Sequence, residues 1–486
     1  MTTYFRPITQ EGKDYNKSHE LISRKRSFFN DKRLASIYIE IKEQMQKTAK
    51  IAINQISKNV AQATSFYRFF GNQKVTTEAV IVVNSMIEPS LIKDKQIYCI
   101  GDSSSFNMKK NEGHVKDFEN FGVLQDGKTP GFHAHASLAL DAANGSILGL
   151  SDLILWNRPA NKTAFDNTKK EQKESYKWHL GASNSHKVLE AAAGVHYLFD
   201  READDFDLFV HLRHQLKSDF TIRLKHNREV RFEGKKLRVL ECLAGLCVAL
   251  VYKVKLNALD HYSRTAGTRK KRKAREATLE LRFANVDLLA PEGLKRDEIL
   301  PIGVVEIREI TPDLPEDEEP LHWMLWTSKK LENASDALQI VEGYLLRWTI
   351  EQLFRTMKKK GFNQEATELG SVDGILKQTA MTFKVATQVM QLVNARQQTD
   401  GSPIEIIFNK EEQKVMKKIN ERLEGNTEDL KNPFPSTQLS YAAWIIARLG
   451  GWKGYQSQKP PGPITMKIGL YKFKIMLEGY QLFDTT

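Results

Sequence analysis

At 486 residues the chain exceeds one ordinary core, and about 100–200 residues per domain gives roughly two to four domains. The 72 Lys and Arg against 60 Asp and Glu leave a formal charge of +12, which suits a polyanionic partner, and three cysteines, Cys99, Cys242 and Cys247, exclude a disulfide framework or zinc site. The most apolar run, Cys242 to Tyr252, falls short of the about 18 residues a spanning helix needs, and no signal peptide opens the chain; the expectation is a soluble protein of a reducing cytoplasm, with no membrane partner.

From about residue 18 to 72 the text is polar, basic and helical in period, which predicts a small helical module over 1–75. Short β-rich runs then begin: KQIYCIGD (95–102), FHAHASLALDAANGSILGL (132–150), GVHYLFDREAD (194–204) and DFTIRLKH (219–226). DAANGS between two apolar runs predicts a hairpin turn. NSHKVLEAAAG reads as a helix with Ser185 near its start and Gly194 near its end. Together these predict a mixed α/β core. Residues from about 227 to 326 read as a β-rich insertion, broken by the basic run TRKKRKARE and the acidic loop PDLPEDEEP. Helical text returns at a cap, Ser335, and continues to the C-terminus, where a high aromatic content suits packing or self-association.

The stretch from Tyr344 to Phe362 reads as one helix with two faces. At about 100° per residue, Tyr344, Arg347, Glu351 and Lys358 point together, while Leu346, Ile350, Leu353 and Met357 form a separate apolar stripe. A solvated charged face gives the same pattern. Upstream, QIYCIGD and GVHYLFD each end on an aspartate, Asp102 and Asp200, which strand ends would place at a sheet rim, where α/β proteins hold ligands. Taken singly, such an Asp is more often a turn or cap residue, and the charges after Asp200 also suit a salt-bridged turn. With Glu351, three hard oxygen ligands would suit Mg²⁺. His133, His135 and His196 lie on strand-like runs without metal spacing and read as structural.

Asp102 in GDSSS, Asp200 in FDREAD, and the spacing of Tyr344, Arg347, Glu351 and Lys358 resemble the bacterial DDE cut-and-paste transposases of the insertion-sequence-four type, the group that includes the Tn five enzyme. The resemblance extends to YRFFGN, TIRLKHNR, PLHWMLWTS and AAWIIARLGGWKG, and so covers nearly the whole chain. Serines follow Asp102 where the family often has threonines. The resemblance implies an α/β fold: an RNase H-like catalytic domain, a mixed sheet with flanking helices, over 76–370, with the β-rich insertion at about 227–326. A helical transposon-end DNA-binding domain (1–75) would precede it and a helical dimerisation domain (371–486) follow. Asp102, Asp200 and Glu351 would be catalytic and would ligate Mg²⁺, with Mn²⁺ substituting. Tyr344, Arg347 and Lys358 would contact the terminal phosphates, Trp323 would stack a flipped-out base, and Arg223 and Lys225 would contact strand-end phosphate. Arg33 and Arg68, in the N-terminal module, would grip the transposon end. The implied partners are double-stranded DNA, as transposon ends and target, and a second copy of the chain in a synaptic homodimer in the bacterial cytoplasm. The implied reaction nicks each end, forms and opens a hairpin, and joins the 3′-hydroxyl ends to target DNA by a two-metal mechanism. The rival expectations are a metal-dependent nuclease or resolvase on the same fold, and a DNA-binding regulator derived from a transposase without chemistry.

Overall fold

Three helices of the N-terminal region begin on a polar cap. In the computed structural model, which describes residues 3–4, 29, 31–158, 173–263, 268–292, 298–312, 314, 318–358, 361–396, 401–455 and 458–483, they are α1 (Lys32–Thr48), α2 (Val60–Phe70) and α3 (Thr77–Asn84). The side chains of Asp31, Asn59 and Thr76 accept from the backbone N–H groups that open them. Residues 18–28, in the expected N-terminal helical stretch, lie outside the described residues.

Three apolar runs open the sheet as an antiparallel meander: β1 (Gln96–Asn107), β2 (Gly131–Asp141) and β3 (Ile147–Asn157). Every residue of β2 and all but the last of β3 are buried, as in strands covered on both faces. The turn between them falls on DAANGS, with Gly145 at φ 71°, a left-handed conformation that favours glycine. α4 (Lys177–Val188) then crosses to β4 (Gly194–Phe199), which runs parallel to β1, and β5 (Asp219–Arg223) runs parallel to β4. The helix expected between Ser185 and Gly194 thus starts earlier: Ser185 lies in its last turn, and Gly194 opens β4. It carries buried polar side chains, Lys177, His179 and Asn184, so apolar periodicity under-reports it.

The expected insertion continues this sheet. It supplies β6 (Glu229–Phe232), β7 (Lys235–Arg238), β8 (Leu250–Leu256), β9 (Leu259–Ser263), β10 (Thr268–Arg272), β11 (Arg275–Leu289), β12 (Ile299–Glu309) and β13 (His322–Thr327). β13 pairs with β5, so the strand order runs β3-β2-β1-β4-β5-β13-β12-β11-β6-β7, with β8 also on β11. β9 and β10 form a separate two-stranded ribbon that carries part of the basic run. The result is a mixed sheet with flanking helices, the RNase H-like arrangement expected from the resemblance.

The longer helices that follow are α5 (Ala334–Leu345), α6 (Trp348–Met357), α7 (Val372–Ala395), α8 (Lys410–Leu423), α9 (Leu439–Leu449) and α10 (Pro463–Phe483). α7 is buried on nearly every side and forms the centre of the largest hydrophobic cluster. That cluster joins Ile41 and Phe69 of the N-terminal helices, Phe106, Phe132 and Leu155 of the meander, Leu353 of α6 and Ile445 of α9. A second cluster packs α4 and its neighbours against the central strands and the added ones, through Trp178, Phe199, Ile302 and Trp326. A third holds α5 on β11–β13 through Leu281, Ile307, Val341 and Tyr344. Lys377, with no exposed side-chain surface, donates to the carbonyls of Phe70 (3.2 Å) and Asn72 (3.1 Å), which ties the end of α2 to α7. Among the described residues, no helix is long and apolar enough to cross a membrane.

Candidate active site

Strand register brings the first two carboxylates together. β1 and β4 pair from Gln96 with Gly194 up to Ile100 with Leu198; two more steps in that register set Asp102 opposite Asp200, about 4.8 Å being the spacing of neighbouring strands. Asp200 lies just beyond Phe199, where β4 ends. Asp102, by contrast, does not close its strand as expected. β1 continues to Asn107 because β2 goes on pairing with it as far as Gly131. What ends near Asp102 is the parallel ladder with β4, so its side chain still stands at a rim.

Glu351 comes from the helical side. The stretch expected as one helix from Tyr344 to Phe362 is instead two: α5 ends at Leu345, α6 runs from Trp348 to Met357, and Lys358 is extended at ψ −159°. Between them the amides of Leu346, Arg347, Thr349 and Ile350 donate to carbonyls three residues back at 3.0–3.2 Å, a tightened turn. The two helices are anchored in different cores, α5 in the third cluster and α6 in the first, and the joint between them absorbs the mismatch. Ile350, Leu353 and Met357 are fully buried, as the apolar stripe requires. Tyr344 is buried as well, so it belongs to the core rather than to a charged face, and its ring stands edge-on to Trp323 with centroids 6.1 Å apart.

At this joint Arg347 bridges two of the carboxylates. Its Nη1 donates to Asp102 Oδ2 at 2.9 Å and its Nη2 to Glu351 Oε1 at 2.8 Å. Burial pushes the Asp102 carboxyl up to about 6; Arg347 and the Ser103 amide oppose the rise, while Asp200 and Glu351 add to it. Burial alone would lower the Arg347 guanidinium, but Tyr344, Asp102, Asp200 and Glu351 outweigh it and hold the group charged. A row of alternating cations and rings leads away from this point: Arg347 lies over the Tyr344 ring at 5.9 Å, and Arg223 over the Trp323 ring at 5.9 Å. Lys358 Nζ donates to Ser104 Oγ at 2.8 Å, and burial lowers its pKa. Lys225 is exposed just past β5, its backbone N–H on Asp204 at 2.7 Å. Arg33 and Arg68 are exposed on α1 and α2 and take no part in this cluster.

Several neighbours escaped the sequence reading. The Ser103 amide donates to Asp102 Oδ1 at 2.7 Å, and its hydroxyl lies 3.0 Å from Nδ1 of buried His135, its cross-strand partner. Burial keeps that imidazole neutral. Correct pairing of β1 with β2 is the signal that would have found the contact. Beside Asp102 and Asp200 lies a cavity of about 150 Å³, lined also by His133, Trp156, Lys177 and Trp178. Lys177 is buried there, its Nζ 3.1 Å from Glu202; a lone Lys before a Trp carries no sequence signal of this. Among the described residues, no group of three His, Cys, Asp or Glu side chains stands arranged to hold a metal ion. A family model described as the transposase DDE domain matches residues 169–386, a stretch that contains Asp200 and Glu351 and begins downstream of Asp102.

Proposed function

We propose that the protein is a DNA transposase with Asp102, Asp200 and Glu351 as its catalytic carboxylates. The observation that carries this reading is the meeting of Asp102 and Glu351 on one guanidinium, at a sheet rim where Asp200 directly follows the end of the neighbouring strand. The donor set fits a divalent ion in kind: three hard carboxylates, close enough for Asp200 and Glu351 to raise Asp102, and already paired with a cation, Arg347. When bound, Mg²⁺, with Mn²⁺ as a substitute, supplies Lewis-acid stabilisation of the charge that builds on the attacking and leaving oxygens.

The chain's own groups then have separate tasks. Ser103, backed by His135, orients Asp102. The guanidinium forks of Arg347 and Arg223 suit phosphate oxygens, and Lys358 and Lys225 add point charges along the strand. Tyr344 supports Arg347 through its ring. Half-buried Trp323 offers a π-face to an unstacked base. Arg33 and Arg68 are the candidate grips of the 1–75 module on the transposon end. The proposed sequence is nicking at each end, hairpin formation, hairpin opening and joining of the 3′-hydroxyl to target DNA. Two ends must be held at once, which calls for a synaptic homodimer formed by the 371–486 region; the exposed apolar row Ile464, Ile468, Tyr471 and Ile475 on α10 supports that part.

The test combines full-length protein, duplexes from the inverted repeats that flank the coding region, and a supercoiled target, with Mg²⁺ or with chelator. Expected are terminal cuts, hairpins and covalent joints in Mg²⁺ alone. Glu351→Ala should lose all three by about a thousandfold or more, the scale of removing about 4 kcal/mol of transition-state stabilisation. Cuts without joints would point to a nuclease or resolvase, and binding without cuts to a regulator.

A further inference from the structure

We infer that Arg347 keeps the carboxylates closed to metal until DNA phosphate draws its guanidinium away, so that metal binding and DNA binding are coupled through this one side chain. The inference rests on the reading of Asp102 and Glu351 as metal ligands. The guanidinium is only 12% exposed and donates to one oxygen of each carboxylate, which are themselves 22% and 27% exposed. A divalent ion needs those same oxygens and cannot share the space with a fixed positive charge.

The setting of Arg347 favours an exchange. It sits in the tightened turn between α5 and α6, on the face of Tyr344, whose ring adjoins half-buried Trp323 and, beyond it, half-buried Arg223. A phosphodiester seated along that row offers the fork a second bidentate anion in place of two separate carboxylates. When the fork turns to phosphate, Asp102 Oδ2 and Glu351 Oε1 are released together. Linkage is reciprocal, so DNA raises metal affinity by the factor by which metal raises DNA affinity. An enzyme so built holds little metal while no DNA is in place. Lys358 provides the contrast: it is also a cation of this site, but its ammonium is bonded to the Ser104 hydroxyl rather than to a carboxylate.

Mn²⁺ titrated into the full-length protein without DNA, read by calorimetry and by the spin resonance of free Mn²⁺, tests this directly. Arg347→Met should bind Mn²⁺ on the order of tenfold more tightly than the parent, the scale of two charge-assisted hydrogen bonds no longer competing. Arg347→Lys, which keeps charge without the fork, should fall between them, and Arg355→Met, at an exposed cation of α6 outside the cluster, should match the parent. A saturating duplex from the flanking repeats should increase the parent's Mn²⁺ affinity more than that of Arg347→Met. Equal affinities for parent and Arg347→Met overturn the inference, as does an equal gain in Arg355→Met, which would mean bulk charge alone. If Arg347→Met does not fold, Arg347→Lys decides: a gain over the parent supports the gate and no gain overturns it. A parent that cuts and joins ends in Mg²⁺ while the variants show no gain overturns the gate alone, whereas a parent that never cuts end DNA overturns the catalytic reading.

Discussion

Trp323, beside Tyr344, and His133, in the cavity beside Asp102 and Asp200, each lend themselves to a single-residue test. Trp323 lies between the Arg223 guanidinium and the Tyr344 edge, on a strand whose other aromatic, Trp326, is fully buried. Base stacking on an aromatic face is worth about 1–3 kcal/mol, so Trp323→Ala should lower hairpin formation by roughly ten- to a hundredfold and leave the first nick nearly intact, as read on denaturing gels. His133 is buried in β2, and burial lowers its pKa to about 4 from 6.5. As pH falls through that window the unfolded chain takes up the proton first, so stability is full above about 6.5 and is lost towards 4, by up to about 3 kcal/mol. Denaturant melts across this range should show the slope, and His133→Gln should flatten it. Neither environment was legible locally. A tryptophan or histidine in a β-run looks the same whether its neighbours are solvent, guanidinium or indole.

At the scale of elements, the α5–α6 joint is the informative case. Leu345, Leu346, Arg347 and Trp348 carry no Gly or Pro, so the apolar and charged periodicities pass through the joint as through one helix. The break exists because α5 packs on β11–β13 and α6 packs with α7 in another cluster. Leu353 is the fully buried centre of α6, and Leu353→Ala should cost about 2–5 kcal/mol in a denaturant titration. Because the same packing sets the helix that carries Glu351, its rate of end cleavage should fall too, even where the protein stays folded. Asp102 teaches the converse: its apolar run ends at the residue, but hydrogen bonding to β2 carries the strand onward.

Over the whole molecule, the largest core crosses the boundaries that composition suggested near residues 75 and 370. Helices from both ends of the chain cover the same side of the meander, and Lys377 ties α2 to α7. The inserted strands likewise lengthen the central sheet through β13 on β5. Among the surfaces this assembly leaves uncovered is the outer face of α10. Its inner face, Met466, Leu470 and Phe473, is buried, whereas Ile464, Ile468, Tyr471 and Ile475 recur at steps of four, three and four and are 40–55% exposed. Ile468→Glu with Ile475→Glu should therefore leave folding intact and prevent pairing of two end-bound copies, which sedimentation with end DNA would report. A pair that survives both charges would remove α10 from the proposed interface.

The sequence by itself determined the chemical inventory and its order: Asp102, Asp200 and Glu351, the arginines and lysines that follow them, a mixed succession of strands and helices, and a net charge of +12. These follow from residue type and from periodicities of two and about four residues, which are local properties. Only the tertiary structure decided that Asp102 sits within a longer strand, that Tyr344 is buried, that the helix divides at Arg347, and that this arginine lies between Asp102 and Glu351. Those outcomes depend on which distant segments share a ladder or a core. That information lies in pairings such as Ser103 with His135, which no local pattern contains.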